Sequence, residues 1–185
     1  EATRFATSEI QRRTDTERYF NDPVAWGEYM LGAHLWSKQR DVMQSVVVNK
    51  STAVKAAHGV SKSYTAGFLA CWWIDTRTAR YDDTFVVTTA PSLQQVAGIL
   101  WREIRTFKKL IDERYAEGLV DHKLPGTINA FNEWKDERGK LIGFGRKPPD
   151  NKEESGLQGI HGHVFAVADE ACGVSLEMID ALANI

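Results

Sequence analysis

Apolar positions along the chain recur with two different periods, and these periods predict most of the secondary structure. Leu93, Val96, Leu100, Ile104, Phe107 and Ile111 follow at steps of three and four, which draws one apolar stripe down an α-helix. The helix start is marked too. Ser92 with Gln95 has capping-box spacing, so the serine oxygen can accept from a first-turn amide while the glutamine reaches back. Phe85-Val-Val-Thr-Thr89 is dominated by β-branched residues and predicts a strand. Val164-Phe-Ala-Val-Ala168 is a continuous apolar run, as expected of a strand covered on both faces.

Residues 38–48 and the stretch from Lys62 to about Asp75 predict two further helices. Between them lie a short β-prone run, Thr52 to Ala56, and a small-residue turn, Ala57 to Ser61. Residues 128–144 predict a hairpin, Ile128 to Trp134 and Lys140 to Phe144, around Asp136-Glu-Arg-Gly139. Residues 1–22 are polar and charged and predict an exposed arm or helix, and Arg146 to Gly156 a polar loop. Strands alternating with helices predict an α/β fold around a parallel sheet.

Composition narrows the function classes. With 185 residues the chain is long enough for one domain with a sizeable core. A formal net charge of −2 excludes a wholesale basic nucleic-acid binder, so any DNA contact must come from a local patch. Arg102, Arg105 and Lys109 share one face of the capped helix, with Lys108 nearby. That stripe is either a phosphate-binding surface or, with Glu103 and Asp112 mixed in, an ordinary solvated face. Cys71 and Cys172 lie far apart in apolar surroundings and read as small core residues in a reducing compartment. His122, His161 and His163 are dispersed and carry no metal reading. The longest apolar stretch, Phe68 to Ile74, is far too short to span a bilayer, and a soluble protein is expected.

Two segments carry chemistry. Ala56-Ala-His-Gly-Val-Ser-Lys-Ser63 is a degenerate match to a phosphate-binding loop, G-x-x-x-x-G-K-[ST], with Ala56 and Ser61 where glycines are expected. Lys62 and Ser63 match. Such a loop needs inward-pointing amides, a lysine for the phosphates and a hydroxyl for Mg²⁺, and the helix that follows adds its positive end. Taken alone, the match is weak, and the segment reads rather as a surface turn with an ordinary lysine. The second segment is Asp169-Glu170 at the carboxyl end of the apolar run 164–168. In a parallel sheet that end lies on the edge where a phosphate loop sits. Asp169 could then serve the metal and Glu170 the attacking water. The alternative is a solvated helix start.

Together these segments resemble the ATPase domain of the large terminase subunit of tailed bacteriophages, the motor that packages double-stranded DNA. The likeness runs through most of residues 35–177. Leu35-Trp36-Ser-Lys-Gln39 looks like the family's adenine-recognising segment, Val54 to Ser63 like its Walker A loop, and Val86 to Ser92 with Gln95 and Leu100 to Ile104 like its helicase-like motif. Gly156 to His161 leading into Val164 to Ala171 looks like the approach to its Walker B strand.

The resemblance implies a three-layer P-loop NTPase of the RecA-like kind, with a mainly parallel central sheet flanked by helices and truncated after the Walker B strand. It divides the chain into an N-terminal arm, 1–34, and a partial ATPase domain, 35–185. It also implies a Mg²⁺-dependent ATPase that drives packaging of double-stranded DNA into the procapsid, in the cytoplasm of the bacterial host. Glu170 and Lys62 would be catalytic, and Ser63 and Asp169 would hold Mg²⁺. ATP would be bound by Gln39 and Trp36 at the adenine and by Ala57, His58, Gly59, Val60, Ser61, Lys62 and Ser63 at the phosphates. Tyr64 would either touch the nucleotide or pack in the core. Implied partners are duplex DNA, the portal, the small terminase subunit and further copies in a ring, with no membrane.

Departures from the pattern matter as well. Ser61 adds a side chain where the backbone should approach phosphate closely, and His58 is a weaker cation than the arginine many members carry. The chain opens at Glu1 and carries no coupling motif or nuclease domain, so a piece of a longer protein without nuclease activity is expected. A helicase-like or repair ATPase, and a nucleotide-binding assembly module without turnover, are the competing expectations.

Overall fold

The computed structural model describes residues 11–57, 59–147 and 160–184. Residues 11–17 are helical, and α1 (Pro23–Leu31) follows. Asp22 caps α1 through its carboxylate, which accepts from the amide of Ala25 at 2.9 Å. Pro23, which lacks an amide hydrogen, opens the first turn, and Gly32 closes the helix in the left-handed region. Helix α2 (Ser37–Val48) and helix α3 (Lys62–Thr78) come next, then strand β1 (Thr84–Thr89).

A long helical stretch follows β1: a turn at Leu93–Gln95, a π-helical turn at Val96–Leu100, and α4 (Trp101–Ala116). The expected capping box is present, with Ser92 Oγ accepting from Gln95 N at 3.2 Å and Ser92 N donating to Gln95 Oε1 at 3.1 Å. The wider π turn shifts the helical phase. Leu93 is left 55% exposed, while Trp101, off the expected stripe, is fully buried beside Ile104, Phe107 and Ile111.

Strands β2 (Thr127–Ile128), β3 (Glu133–Lys135), β4 (Leu141–Gly145) and β5 (His163–Ala168) complete one sheet in the order β2-β3-β4-β1-β5. The chain ends with a 3₁₀ turn, Ala171–Gly173, and α5 (Leu176–Ala183). The hairpin turn at 136–139 forms as expected, but its outer strand joins the sheet. β4 pairs with β1 in parallel, so β2 and β3 extend the same sheet antiparallel. Half of the four pairings are therefore parallel, and the sheet is mixed rather than mainly parallel.

Two further expectations are corrected. The run 52–56 forms no strand: it has no regular structure, and Val54, its one large apolar side chain, is 46% exposed. One such residue buries too little apolar surface to offset the entropy of ordering five. Thr52 is instead tied to α2 by a 2.9 Å hydrogen bond between its hydroxyl and that of Ser45. In consequence, among the described residues β5 pairs only with β1, and it is half-buried from Val164 to Ala168 with His163 exposed, not covered on both faces.

Helices α1, α3 and α4 share one core with Val86, Trp134 and Ile142 of the sheet. Trp26 of α1 meets Phe68 of α3 edge-on at 5.2 Å between centroids, so residues before 35 belong to the same core. Gly27 is required there, since a Cβ would lie 2.0 Å from the Phe68 ring. Helix α5 covers the other face, where Met178 and Val174 pack on Val87 and Phe144. Cys71 is buried as expected, and burial pushes its thiol pKa up. Cys172, expected in the core, is exposed because it sits in the 3₁₀ turn beyond the sheet edge.

Candidate functional site

The site assembles at the carboxyl edge of β1 and β5. These strands run parallel and in register from Thr84 opposite His163 to Thr89 opposite Ala168, so both end at one level. The amide of Asp169 donates to the carbonyl of Thr89 at 2.9 Å and carries the pairing one residue further. That bond holds the backbone of Asp169 at the rim.

Helix α3 brings its first turn to the same place. Ser63 Oγ donates to Asp169 Oδ2 at 2.7 Å. Immediately before it, Lys62 Nζ donates to the carbonyls of Ala56 at 3.2 Å and Ala57 at 3.0 Å. The ammonium thus closes the loop on itself with neutral acceptors, which an anion would outcompete. No acidic residue stands in the first turn of α3, so the partial positive charge of its free amides is uncompensated there.

The backbone around these groups is unusual. Ser61 caps α3 in the left-handed region, at φ 64° and ψ 30°, with no hydrogen bond from its side chain to the helix. Its carbonyl accepts from Thr65 N at 2.9 Å and from Thr65 Oγ1 at 3.0 Å. Glu170 is also left-handed, at φ 51° and ψ 47°. Among the described residues only Ser61, Asn132 and Glu170 combine a side chain with positive φ. Two of the three lie here, and conformations costing about 1–3 kcal/mol each collect at sites where geometry serves function.

Lys62, Ser63, Asp169 and Glu170 are half-buried, and Ala57, Gly59 and Ser61 are exposed on the loop with Val60 half-buried. His58 lies outside the described residues. The Tyr64 ring turns into the core, edge-on to Phe107 at 4.9 Å, which matches the packing alternative. Gln39 is 7% exposed, and its Oε1 accepts from Trp36 N at 3.3 Å, capping its own helix. Trp36 is 49% exposed beside it.

The basic stripe does not persist as a continuous surface. Arg105 Nη2 donates to Asn129 O at 2.9 Å and Asn132 Oδ1 at 2.7 Å. Lys109 pairs with Glu113 at 3.5 Å, and Lys108 with Asp112 at 3.6 Å.

Sequence reasoning missed a buried ionic centre away from this edge. Asp75, fully buried, accepts through Oδ2 from Trp26 Nε1 at 2.8 Å and bonds His122 Nε2 at 2.9 Å. The other ring nitrogen of His122 meets Asp121 at 2.6 Å, and Arg12 Nε lies 3.9 Å from Asp75 Oδ1. Burial alone would raise the Asp75 pKa and lower that of His122. Their mutual attraction outweighs it, so Asp75 lies below its ordinary value and His122 is pushed up to about 9. Asp15, Asp121 and His122 present oxygen and nitrogen atoms within 4.8 Å of one another. With both imidazole nitrogens committed to carboxylates, this cluster is a structural clasp. The one legible signal was an aspartate directly after the apolar run Phe68 to Ile74.

Comparisons of the chain with family models, with curated proteins and with solved structures find no match. Among the described residues, no helix is long and apolar enough to cross a membrane.

Proposed function

We propose that the edge formed by Lys62, Ser63, Asp169 and Glu170 binds ATP with Mg²⁺ and hydrolyses it, in the manner of the ATPase domain of a phage terminase large subunit. One observation carries the reading. Ser63 and Asp169, distant in sequence, meet at 2.7 Å beside the lysine of the same loop. Two oxygens held as neighbouring ligands of an octahedral Mg²⁺ at 2.0–2.1 Å lie about 2.9 Å apart. The Ser63–Asp169 spacing fits that requirement within a few tenths of an ångström, and both are oxygen donors, as a hard cation prefers.

In this reading the triphosphate lies over the first turn of α3, where free amides face it. Lys62 exchanges the carbonyls of Ala56 and Ala57 for phosphate oxygens, a stronger charge-assisted contact. Ser63 and Asp169 would hold Mg²⁺, whose charge offsets that of the phosphates. Glu170, next to the metal-holding aspartate, orients the attacking water and takes its proton. Gln39 would reach adenine only by giving up its bond to Trp36 N. Movement of duplex DNA, assembly into a ring, and contact with a portal and small subunit belong to the same proposal and rest on the resemblance.

The test is steady-state ATP turnover by the parent protein and by Glu170→Gln. Loss of turnover by at least about a hundredfold in the variant, with nucleotide affinity retained, is the expected result. Tight ATP binding with no turnover in the parent would favour an assembly module instead.

A further inference from the structure

One buried group at this edge has no part in that reading. Thr89, the last residue of β1, is 3% exposed, and its Oγ1 has no hydrogen-bond partner among the described residues. Its neighbour Thr88 differs, since that hydroxyl accepts from Trp101 Nε1 of α4 at 2.7 Å. Side chains alternate along a strand, so Thr89 faces the other side of the sheet, where Val87 packs with Val174 and Met178. Burying a hydroxyl without a partner forfeits its bonds to water and regains nothing. Such a loss at a site edge points to a partner gained in another state.

The turn that carries Glu170 lies over this residue. Asp169 N donates to the Thr89 carbonyl at 2.9 Å. Gly173 sits so close to Pro91 that a Cβ would lie 2.5 Å from Pro91 Cγ. Residues 169–173 are thereby fastened at both ends to residues 89–91, with Glu170 between the two fastenings. Ala168, the register partner of Thr89, precedes Glu170 by two residues. That diagonal puts the two Cα atoms roughly 7–8 Å apart, within reach of a glutamate side chain.

Glu170 has a free carboxylate to offer. Its amide donates to Asp169 Oδ1 at 3.1 Å, and its carbonyl accepts from Gly173 N at 2.9 Å. The carboxylate enters no hydrogen bond or ion pair among the described residues. Asp169 links this turn to the metal position, because its Oδ2 meets Ser63 while its Oδ1 holds the Glu170 amide. A change at Asp169 is therefore passed directly to the glutamate.

We infer that Thr89 is a positioning residue for Glu170. With nucleotide and Mg²⁺ bound, the Thr89 hydroxyl donates to one oxygen of the Glu170 carboxylate and leaves the other toward the attacking water. A donor and an acceptor, both unpartnered and within reach of each other, complete one another without moving the sheet. The inference rests on the ATPase reading and adds a further residue to that site.

The experiment is a double-mutant cycle of Thr89→Val and Glu170→Ala. It is read by steady-state ATP turnover and by urea midpoints with saturating AMP-PNP, a non-hydrolysable ATP analogue, and Mg²⁺. Valine keeps the shape of threonine and removes only the hydroxyl. Thr89→Val should lower kcat about tenfold to a hundredfold with KM within about twofold of the parent. Its urea midpoint without nucleotide should equal or exceed the parent value, a result that a merely structural role would reverse. Thr89→Ser should restore most of the turnover. Once Glu170→Ala is in place, Thr89→Val should cause no further loss, and the midpoints with AMP-PNP should be non-additive in the same way.

A parental kcat in Thr89→Val overturns the inference and leaves the ATPase reading standing. So do equal fold losses with and without Glu170, or a lowered Thr89→Val midpoint in the free protein. A parent that binds AMP-PNP without turning ATP over overturns the ATPase reading. Non-additive midpoints would then still support the pairing of Thr89 with Glu170, and additive ones would sink it. A parent that binds no AMP-PNP overturns both.

Discussion

Ser63 donates its hydroxyl to Asp169 Oδ2 at 2.7 Å, joining residues 106 positions apart. The first turn of α3 and the end of β5 have little else in common. They meet because Trp73 of α3 stacks on Phe165 of β5 at 5.5 Å between centroids, while β1 and β5 end in register. A hydroxyl and a carboxylate are thereby brought together, with Lys62 adjoining Ser63 in the same helical turn.

Replacing the ammonium should separate binding from folding. Among the described residues Lys62 Nζ hydrogen-bonds only the carbonyls of Ala56 and Ala57 on an exposed loop, so Lys62→Ala should leave the melting temperature within about 2 °C of the parent. Loss of a charged hydrogen bond to phosphate costs about 1.5–3 kcal/mol, and ATP affinity should fall about tenfold to a hundredfold. Isothermal titration calorimetry reads the affinity, and an unchanged value would refute the loop assignment.

Ser61→Gly should stabilise the protein. The serine is held at φ 64° and makes no capping hydrogen bond with its side chain, so the substitution relieves strain and forfeits no cap. Release of about 1–2 kcal/mol of left-handed strain, less about 0.5–1 kcal/mol of added freedom in the unfolded chain, leaves a gain near 0.5–1 kcal/mol. Urea denaturation should show the midpoint rising, and ATP affinity should rise with it as the backbone opens to phosphate. A lower midpoint would mean that the left-handed turn is not the native state of this loop.

Gly145→Ala should destabilise by about 1–3 kcal/mol, because a Cβ there would lie 2.0 Å from Trp101 Nε1. Trp101 cannot retreat easily, being fully buried and donating to Thr88 Oγ1 at 2.7 Å. Thermal denaturation monitored by tryptophan fluorescence is the check. A neutral effect would show that the π-helical turn yields to admit the methyl.

The clasp around His122 makes stability depend on pH. Its pKa is raised from 6.5 to about 9, so the folded state binds the proton more tightly than the unfolded state. The contribution is complete below about 6.5 and is lost as pH rises through about 9. For a group this buried the loss is about 3 kcal/mol. Asp75 has the opposite sense: its lowered pKa adds stability at neutral pH that disappears as acid titrates it below its ordinary value. Urea midpoints measured from pH 6 to 9.5 should fall in the parent. They should be lower but flatter in His122→Gln, which leaves Asp75 without its cation. A parent profile flat across that range would show that the imidazole is neutral in the fold.

Local information was enough for the elements that depend on neighbours in sequence. The apolar steps from Val96 to Ile111, the Ser92–Gln95 cap and the β-branched run ending at Thr89 all express interactions within a few residues, and each formed where the pattern placed it. Lys62-Ser63 and Asp169-Glu170 stand out locally, as a lysine and hydroxyl at a helix start and paired carboxylates at a strand end, and the fold brings Ser63 and Asp169 to 2.7 Å. What only the tertiary structure decided is where long-range contacts outvote local preference. The β-prone run 52–56 found no partner, β4 chose β1 and made the sheet mixed, and Trp101 entered the core through a π turn. Asp75 and His122 have roles set entirely by what surrounds them. Pairing register and burial are properties of distant segments brought together, and no local pattern in a chain encodes which of several possible neighbours will win the competition for a strand edge or a buried charge.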